Sequence, residues 1–262
     1  MDTQMDTQAG PQHSTDITSG LVLHTVGPVP GSARDQVREL VNRLIEKAPR
    51  PVSYAKVKIK SDGDREPAER SLAQATLGVS GTTFRAESSG EGPSGALTSL
   101  EARLEEKLTH IDQPGTAPRQ SDRPHFVDVD PEQRVIARHK TCSRIDQIDT
   151  DEAIARLSDL DYRFYLFTDI ADDKTTMVAD AGGEETTIQK IDGSFPDGSE
   201  RPGVRAVVGP PPKRTIQDAV GELNGTGRDH LFFRDLDGED PSVLYRRYDG
   251  HYGLLVEANL PS

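Results

Sequence analysis

Apolar positions in the first third of the chain switch between the period of a strand and the period of a helix. Residues 21–26 predict a strand. Residues 32–48 then carry apolar side chains at helical spacing, and Ser32 is the expected N-cap. The inward stripe of this helix is expected to be Val37, Leu40, Val41, Leu44 and Ile45.

Three further strands and a second helix are predicted by the same reasoning. Residues 53–61 alternate strictly, which places Ala55, Val57 and Ile59 on one face and Lys56, Lys58 and Lys60 on the other. Residues 71–80 and 82–88 predict strands around a turn at Gly81, and residues 96–110 predict a helix that buries four leucines. The order β-α-β-β-β-α indicates a four-stranded sheet covered by two helices on one face.

The second half of the chain repeats itself. A shift of 66 residues aligns Ala153 with Ala219, Leu157 with Leu223, Phe167 with Phe233, and Val178 with Leu244. Each copy is expected to hold a short helix, an aromatic strand and a hairpin. Two copies indicate a duplicated domain, because solenoids need three or more repeats.

The predicted fold class is therefore α+β, with two small tandem α+β domains after the N-terminal domain. Residues 1–19 are predicted to be a disordered tail in which Met1 or Met5 is the true start, and 20–112 are predicted to be the N-terminal domain. The remaining boundaries are a flexible linker at 113–133, the first copy at 134–193, and an inter-copy linker with the second copy at 194–262.

Composition narrows the functional classes. The net charge is -13, and residues 126–262 carry -11 of it (16 Lys+Arg against 27 Asp+Glu), so broad nucleic-acid binding by this half is disfavoured. The only cysteine, Cys142, excludes an intramolecular disulfide. No apolar run has the length of a membrane span or the form of a signal peptide, which predicts a soluble, cytoplasmic protein.

The search for catalytic motifs favours a protein that is not an enzyme. Residues 90–95, GEGPSG, match a dinucleotide-binding pattern, but no second parallel strand is expected after the helix, so the segment is interpreted as a turn with Pro93 near the helix start. Asp146, Asp149 and Asp151 lack the pattern of a calcium loop, and Thr150 or Asp151 is expected to cap a helix. No cofactor and no metal ion are expected.

The row of Lys56, Lys58 and Lys60, which we call the lysine row, is the best candidate for a binding surface. It lies on the sheet face that the helices leave open, where contact with phosphates and an ordinary solvated face are both open readings. The helical pairs Arg34/Arg38, Arg43/Lys47 and Arg103/Lys107 each favour a solubility role when taken alone, because glutamates are interleaved with them.

The end of the chain resembles a known family. The segment LYRRYDGHYGLL (residues 244–255), with Asp249-Gly250 as the expected pair of a two-residue hairpin turn, is similar to the C-terminal motif of the long-form ribosome hibernation-promoting factors. HLFFRD (230–235) is similar to the strand before that motif. VRELVNRLIEK and ALTSLEARLEEKLTH resemble the two helices of the family's first domain. The duplicated tail resembles the dormancy-type factors of actinobacteria.

This resemblance implies a function. Residues 20–112 would be the ribosome-binding domain, lodged on the small ribosomal subunit at the messenger and transfer RNA sites, where it inhibits translation during stress or dormancy. The ribosome, through its ribosomal RNA and proteins, would be the partner. The candidate RNA-binding residues are Lys56, Lys58, Lys60, Arg34, Arg38, Arg43, Lys47, Arg85, Arg103, Lys107 and His110.

Two departures from the family shape the expectation. The N-terminal domain is nearly neutral, whereas that of the family is basic. The tail domain occurs twice, so the two copies are expected to pair within one chain and hold single ribosomes idle. The candidate domain-association residues are Phe167, Phe233, Val243, Tyr245 and Tyr252. The alternative hypothesis is an acidic protein–protein interaction module that binds a basic partner without binding ribosomes.

Overall fold

The structure is a computed structural model of the 262-residue chain, and it describes residues 13–18, 20–61, 70–112, 129–142, 145–182, 185–195, 202–237 and 239–257. The chain divides into two units, residues 1–113 and 114–262. Across the described ranges the fold is α+β, with three five-stranded sheets and four α-helices, which confirms the predicted class. The predicted tail at 1–12 and 19, and the predicted linker at 113–128, lie outside the described residues.

The first unit is one sheet with two helices. Its elements are β1 (His13–Thr18), β2 (Leu21–Val26), α1 (Gly31–Lys47), β3 (Val52–Ser61), β4 (Arg70–Val79), β5 (Thr82–Glu91) and α2 (Gly92–Thr109). The strands lie in the order β1-β2-β3-β4-β5. Strands β2 and β3 are parallel and the other neighbouring pairs are antiparallel, as expected where α1 provides the crossover between β2 and β3.

Strand β1 is an addition to the four predicted strands. It pairs antiparallel with β2, from His13 opposite Val26 to Thr18 opposite Leu21. The prediction of a disordered tail over residues 1–19 is therefore wrong for 13–18. The segment has no alternation of apolar side chains, and the edge of β2 offers it backbone hydrogen bonds that a side-chain pattern does not reveal.

The core of the first unit forms at the positions predicted from the alternation along β3 and the helical spacing along α1. Val57 and Ile59 of β3 are fully buried, and the α1 stripe contributes four of its five predicted residues: Val37, Leu40, Val41 and Leu44. The fifth, Ile45, is 48% exposed, and Ala33 is buried one helical turn before Val37. Ser32 is not the N-cap, because α1 begins at Gly31 after Pro30 and shows no side-chain cap.

The glycine-rich segment is a strand end and a helix start. Gly90 and Glu91 finish β5, and Gly92, with a φ of +65°, begins α2 with Pro93 in its first turn. A Cβ on Gly90 would lie 2.4 Å from the backbone nitrogen of Ala96, so glycine is required for this close approach of strand and helix. Among the described residues, no strand parallel to β5 follows α2 in its sheet. The predicted turn is wrong, because β5 runs directly into α2, but Pro93 does lie near the helix start as expected.

The second unit holds two sheets of five strands. Its elements are β6 (Ile136–Cys142), β7 (Asp146–Ile148), α3 (Thr150–Asp159), β8 (Phe164–Asp169), β9 (Lys174–Gly182), β10 (Glu185–Lys190), β11 (Val204–Ala206), β12 (Lys213–Arg214), α4 (Ile216–Thr226), β13 (His230–Asp235), β14 (Pro241–Arg246) and β15 (Tyr252–Glu257). The first C-terminal sheet has the order β11-β10-β9-β8-β7, and the second has the order β12-β13-β14-β15-β6. A short 3-10 helix, Pro131–Gln133, precedes β6.

The cores of the two C-terminal sheets match at the predicted shift. Phe167 and Phe233 are each 0% exposed, and so are Val178 and Leu244. Ala153 and Leu157 of α3 occupy the places that Ala219 and Leu223 take on α4. Asp149, not Thr150 or Asp151, caps α3. The helix already begins at Thr150, and the Asp149 side chain accepts a hydrogen bond from the backbone N–H of Glu152.

The two copies exchange a strand. Strand β6 lies at the start of the first copy, yet it pairs in parallel with β15 of the second sheet. Strand β11, the equivalent strand at the start of the second copy, pairs in parallel with β10 of the first sheet. Residues 134–193 thus do not form one sheet, because a strand with few buried side chains is placed by backbone pairing, which the apolar pattern does not show.

Among the helices of the described residues, none is both long and apolar enough to cross a membrane.

Candidate nucleic-acid interface and association surface

The lysine row projects from the central strand of the first sheet. Lys56 and Lys58 are exposed and Lys60 is half-buried, while Ala55, Val57 and Ile59, which alternate with them, face the core. Lys58 has His24 of β2 beside it on one side and Gln74 of β4 on the other. The row therefore lies on the sheet face opposite α1 and α2, as the alternation predicts.

Arg85 lies on the same face of the sheet, on β5. It is opposite Thr76, whose other neighbour is Lys56. Its guanidinium is ion-paired with Glu87, and both side chains are largely buried, with 14% and 3% exposed. Arg85 is thus brought close to the lysine row in register, with its charge balanced by Glu87.

The basic residues of α1 lie on the helical side and have acidic partners. Arg43 donates two hydrogen bonds to Glu101 of α2, at 2.6 and 2.9 Å, and Lys47 Nζ lies 2.5 Å from Glu105 Oε1. The hydrogen bond from Arg43 holds the pKa of Glu101 below its ordinary value. These ion pairs link α1 to α2.

The remaining candidate residues of the helices differ in accessibility. Arg38 is paired with Asp35 at 3.1 Å, and Arg34 is half-buried. On α2, Arg103 is half-buried and Lys107 is only 4% exposed. The ring of His110 contacts Glu106 O and Thr109 Oγ1 just after α2 ends.

The structure therefore separates the predicted RNA-binding residues into two groups. Four of them share the face opposite the helices: Lys56, Lys58, Lys60 and Arg85. The other seven lie on, or directly after, the two helices. The ion pairs between α1 and α2 were not predicted from the sequence. Glutamates spaced along one helix do not show which basic residue of the other helix each of them contacts.

The hairpin at the end of the chain has a wider turn than the predicted two-residue one. Arg247 N donates to His251 O, and Gly250 N donates to Arg247 O, so Tyr248 and Asp249 are the central residues and Gly250 follows with a φ of +80°. Asp249 also accepts a hydrogen bond from Arg247 Nη2 at 2.7 Å, which helps to raise the pKa of that arginine. The arginine and aspartate of the motif thus fasten the turn.

The two C-terminal sheets contact each other through an apolar group that we call the inter-sheet cluster. The first sheet contributes Leu166, Met177 and Ala179, and the second contributes Phe232 and Val243. All five are 7% exposed or less. The cluster follows the 66-residue shift, since Leu166 corresponds to Phe232 and Met177 to Val243. The contact therefore has approximate twofold symmetry.

Polar and aromatic contacts surround the inter-sheet cluster. The ring of Phe164 lies 5.5 Å from the ring of His230, and Arg163 forms an ion pair with Asp229. Thr175 Oγ1 donates to Glu257 Oε2 at 2.7 Å. Burial raises the pKa of Glu257, a trend that the hydrogen bond from Thr175 partly opposes.

Two of the predicted association residues lie at this contact. Val243 belongs to the inter-sheet cluster, and the Tyr245 ring lies 5.4 Å from the ring of Phe164. Gly253 leaves room for Tyr245, because a Cβ there would lie 2.2 Å from the tyrosine ring.

The other three predicted association residues lie inside their own copies. Phe167 packs in the core of the first sheet, whereas Phe233 and Tyr252 pack in the core of the second. Strands β8 and β13 are apolar on both faces, so the pattern alone did not show which face turns towards α3 or α4. Leu166 and Phe232, one position earlier, take the association role.

No group of His, Cys, Asp or Glu within the described ranges of the chain is arranged to hold a metal ion.

Comparisons with known proteins find similarity both at the C-terminal end and over a longer part of the chain. Residues 204–254 match the family model described as Sigma 54 modulation/S30EA ribosomal protein C terminus. The dormancy associated translation inhibitor of Mycobacterium tuberculosis is 28% identical over 195 residues, which cover 71% of this chain and 70% of the relative. The ribosome hibernation promotion factor of Deinococcus radiodurans is 46% identical over 41 residues, covering 16% of this chain and 21% of the relative.

The C-terminal match and the longer similarity relate this chain to ribosome hibernation factors and, over most of its length, to the dormancy associated translation inhibitor. Its second unit holds two five-stranded sheets whose core residues correspond at a shift of 66 residues.

Proposed function

We propose that this protein is a ribosome hibernation factor that inhibits translation under stress or dormancy. In this proposal the first unit binds the small ribosomal subunit at the messenger and transfer RNA sites. The relatives named as translation inhibitor and hibernation promotion factor support the general activity. Ribosome association would place the protein in the cytoplasm, and the proposal needs no catalytic step.

The lysine row is the observation that carries the RNA-binding part of the proposal. Side chains two residues apart on a strand are roughly 6.5–7 Å apart, so the row presents three ammonium groups in line on one face. Ammonium groups bind phosphate oxygens with little dependence on base sequence, which suits a contact with the RNA backbone. Arg85 is in register with this row but is committed to Glu87.

The helical side is less suited to phosphate binding. Arg43 and Lys47 already contact carboxylates on α2, and a phosphate would have to displace them. An RNA chain brought to that side would also meet Glu101 and Glu105, whose charges repel it. The sheet face with the lysine row is therefore the proposed ribosomal surface.

The inter-sheet cluster supports a second part of the proposal, that the two copies pair within one molecule. A family member with one tail domain would have to bury such an apolar face against a second molecule. Here the two copies lie in one chain, and the tether between them gives an effective concentration in the millimolar range, on the order of what short flexible linkers provide. We propose that the protein is a monomer and holds single ribosomes idle.

Sucrose-gradient co-sedimentation with ribosomes across a salt series tests the proposed function. Three phosphate contacts on single-stranded RNA predict a slope of log K against log salt of about -2. Binding that is measurable at low salt and weakens at this rate is the expected result. Failure of the intact protein to co-sediment at any salt concentration would contradict the proposal and favour the protein–protein module instead.

A further inference from the structure

Most of the lysines and arginines that the structure describes in the second unit form an ion pair with an acidic neighbour. Arg156 contacts Asp146 and Glu152, and Lys190 contacts Asp169 and Asp172. Six other basic residues of this unit form ion pairs among the described residues, namely Arg163, Lys174, Arg205, Lys213, Arg214 and Arg247. This pattern is expected where residues 126–262 hold 27 acids against 16 bases.

Strand β6 differs from this pattern. Among the described residues, the side chains of Arg138, His139 and Lys140 have no hydrogen bond and no ion pair, and all three are exposed. The strand forms the edge of the second C-terminal sheet, with β15 as its neighbour. The sequence from 133 to 145 contains no acid. The edge is therefore a local basic strip on an acidic unit.

The equivalent strand of the other sheet has a different character. Strand β11 also forms an edge and also pairs in parallel, but it spans only Val204–Ala206. Its one basic residue, Arg205, is ion-paired with Glu185 at 3.1 Å. The exposed, unpaired basic side chains are thus found on the edge strand β6 and not on the equivalent edge strand β11.

We propose that β6 is a second RNA-binding surface, at which Arg138 and Lys140 bind phosphates of ribosomal RNA. The two side chains are two residues apart, so they share one face of the strand. Since residues 126–262 carry a net charge of -11, RNA would be repelled from most of this unit, and β6 offers a place where it can approach. This inference rests on the proposed function and adds a second contact to it.

A competing explanation assigns the charges of β6 to protection of the edge strand. Lysine on an exposed edge hinders pairing with the edge of another molecule. The two explanations differ in their consequences, because protection requires no ligand and leaves ribosome binding unchanged when the charges are removed. Ribosome affinity therefore separates them.

The test uses the full chain with both charges removed, R138Q/K140Q. We expect weaker ribosome binding. The slope of log K against log salt should become less negative by about 1.4, which corresponds to the loss of two contacts with single-stranded RNA. The matched control, R205Q/K213Q, removes two exposed but ion-paired charges from the same unit, and it should bind as the unchanged protein does.

Two different failures are distinguishable in this experiment. If the unchanged protein binds and R138Q/K140Q has the same affinity and slope, the second surface is refuted while the proposed function stands. If the unchanged protein does not bind ribosomes at all, the proposed function fails and this inference fails with it.

Cys142, the last residue of β6 and the only cysteine of the chain, provides a second readout. A photo-crosslinker attached to its thiol in the full chain should label ribosomal RNA after illumination of the ribosome complex. Crosslinks to ribosomal protein alone, or none at all, would overturn the assignment to RNA.

Discussion

Phe164 and Tyr245 place their rings 5.4 Å apart, one on each C-terminal sheet. The contact continues into the inter-sheet cluster, where Leu166 and Phe232 take equivalent places. Aromatic pairs of this kind contribute about 0.5–1.5 kcal/mol beyond the apolar area that they bury. The apolar face of the terminal hairpin thus has a partner within the same chain.

The first prediction is that the intact protein is a monomer in solution. Deleting residues 146–202 removes the strands β7–β10 and α3 but keeps β6, which the second sheet needs at its edge. The shortened protein exposes Phe232 and Val243. We expect it to dimerise through them, because an exposed patch of large apolar side chains is typical of a protein–protein interface. Light scattering of both proteins measures the masses.

A substitution in the shortened protein supplies the control for this prediction. Val243→Asp in the deletion variant should restore the monomer by placing a charge in the exposed face. A dimeric intact protein, or a deletion variant that stays monomeric, would contradict the claim that each copy covers the apolar face of the other copy within one chain.

The second prediction concerns a buried ion pair present only in the first copy. Lys190 is 4% exposed and contacts Asp169 at 3.1 Å and Asp172 at 2.6 Å, whereas the residue equivalent to Lys190 in the second copy is Val256. Lys190→Met leaves the buried Asp169 without its cation and leaves Asp172 only the distant Lys174, at 3.9 Å, so it should destabilise the unit by about 3–5 kcal/mol. Urea unfolding followed by circular dichroism measures the change.

Lys174 provides the comparison for Lys190. It also pairs with an aspartate, Asp192 at 2.5 Å, but its side chain is 36% exposed. Lys174→Met should cost no more than about 1 kcal/mol, as is usual for pairs near the surface. Equal losses for the two variants would mean that burial does not set the strength of the Lys190 pair.

The third prediction is a pH dependence at Glu257. Burial raises its pKa in the folded state, and Asp240 adds to the rise, while the hydrogen bond from Thr175 opposes it. A carboxyl with a raised folded-state pKa favours folding at acid pH, below the unfolded value of about 4.3, and this contribution is lost as the pH rises through the folded pKa.

Glu257→Gln should therefore stabilise the protein at neutral pH, where the half-buried carboxylate is ionised and its partial desolvation is unfavourable. The gain should disappear in acid, where Glu257 is protonated and resembles glutamine. Thermal unfolding of both proteins at pH 7 and at acid pH measures the difference. A variant that is less stable than the unchanged protein at pH 7 would contradict the assignment.

Much of this architecture could be predicted from the sequence, because it depends on the periodicity of side chains. The alternation along β3 fixed which face Val57 and the lysine row occupy, and the 66-residue shift located equivalent core residues such as Phe167 and Phe233. These elements have one apolar face and one polar face, so the spacing of the apolar residues shows which face is buried.

The parts that could not be predicted depend on backbone pairing or on strands that are apolar on both faces. The sequence of β1 has no apolar alternation, and β6 has few buried side chains, so hydrogen bonds of the main chain set their places at sheet edges. In β13, Phe232 and Phe233 are both buried, and only the fold shows that Phe232 faces the other copy. The partners of Arg43 and Lys47 likewise depend on how α1 and α2 pack.

The fourth prediction addresses the lysine row. The triple variant K56Q/K58Q/K60Q should fold normally, because the three side chains lie on the face opposite the helices. Its matched control, R38Q/R43Q/K47Q, removes the same number of charges from the helical side, where each is already paired with a carboxylate. The two variants have the same net charge, so they differ only in which surface has lost its cations.

Co-sedimentation of these two variants with ribosomes across a salt series tests whether the lysine row contacts ribosomal RNA. We expect K56Q/K58Q/K60Q to lose affinity, and its slope of log K against log salt to become less negative by about 2, which corresponds to the loss of three phosphate contacts. The control should retain the affinity of the unchanged protein. Unchanged binding by the lysine variant, or an equal loss in the control, would contradict the assignment of this sheet face to ribosomal RNA.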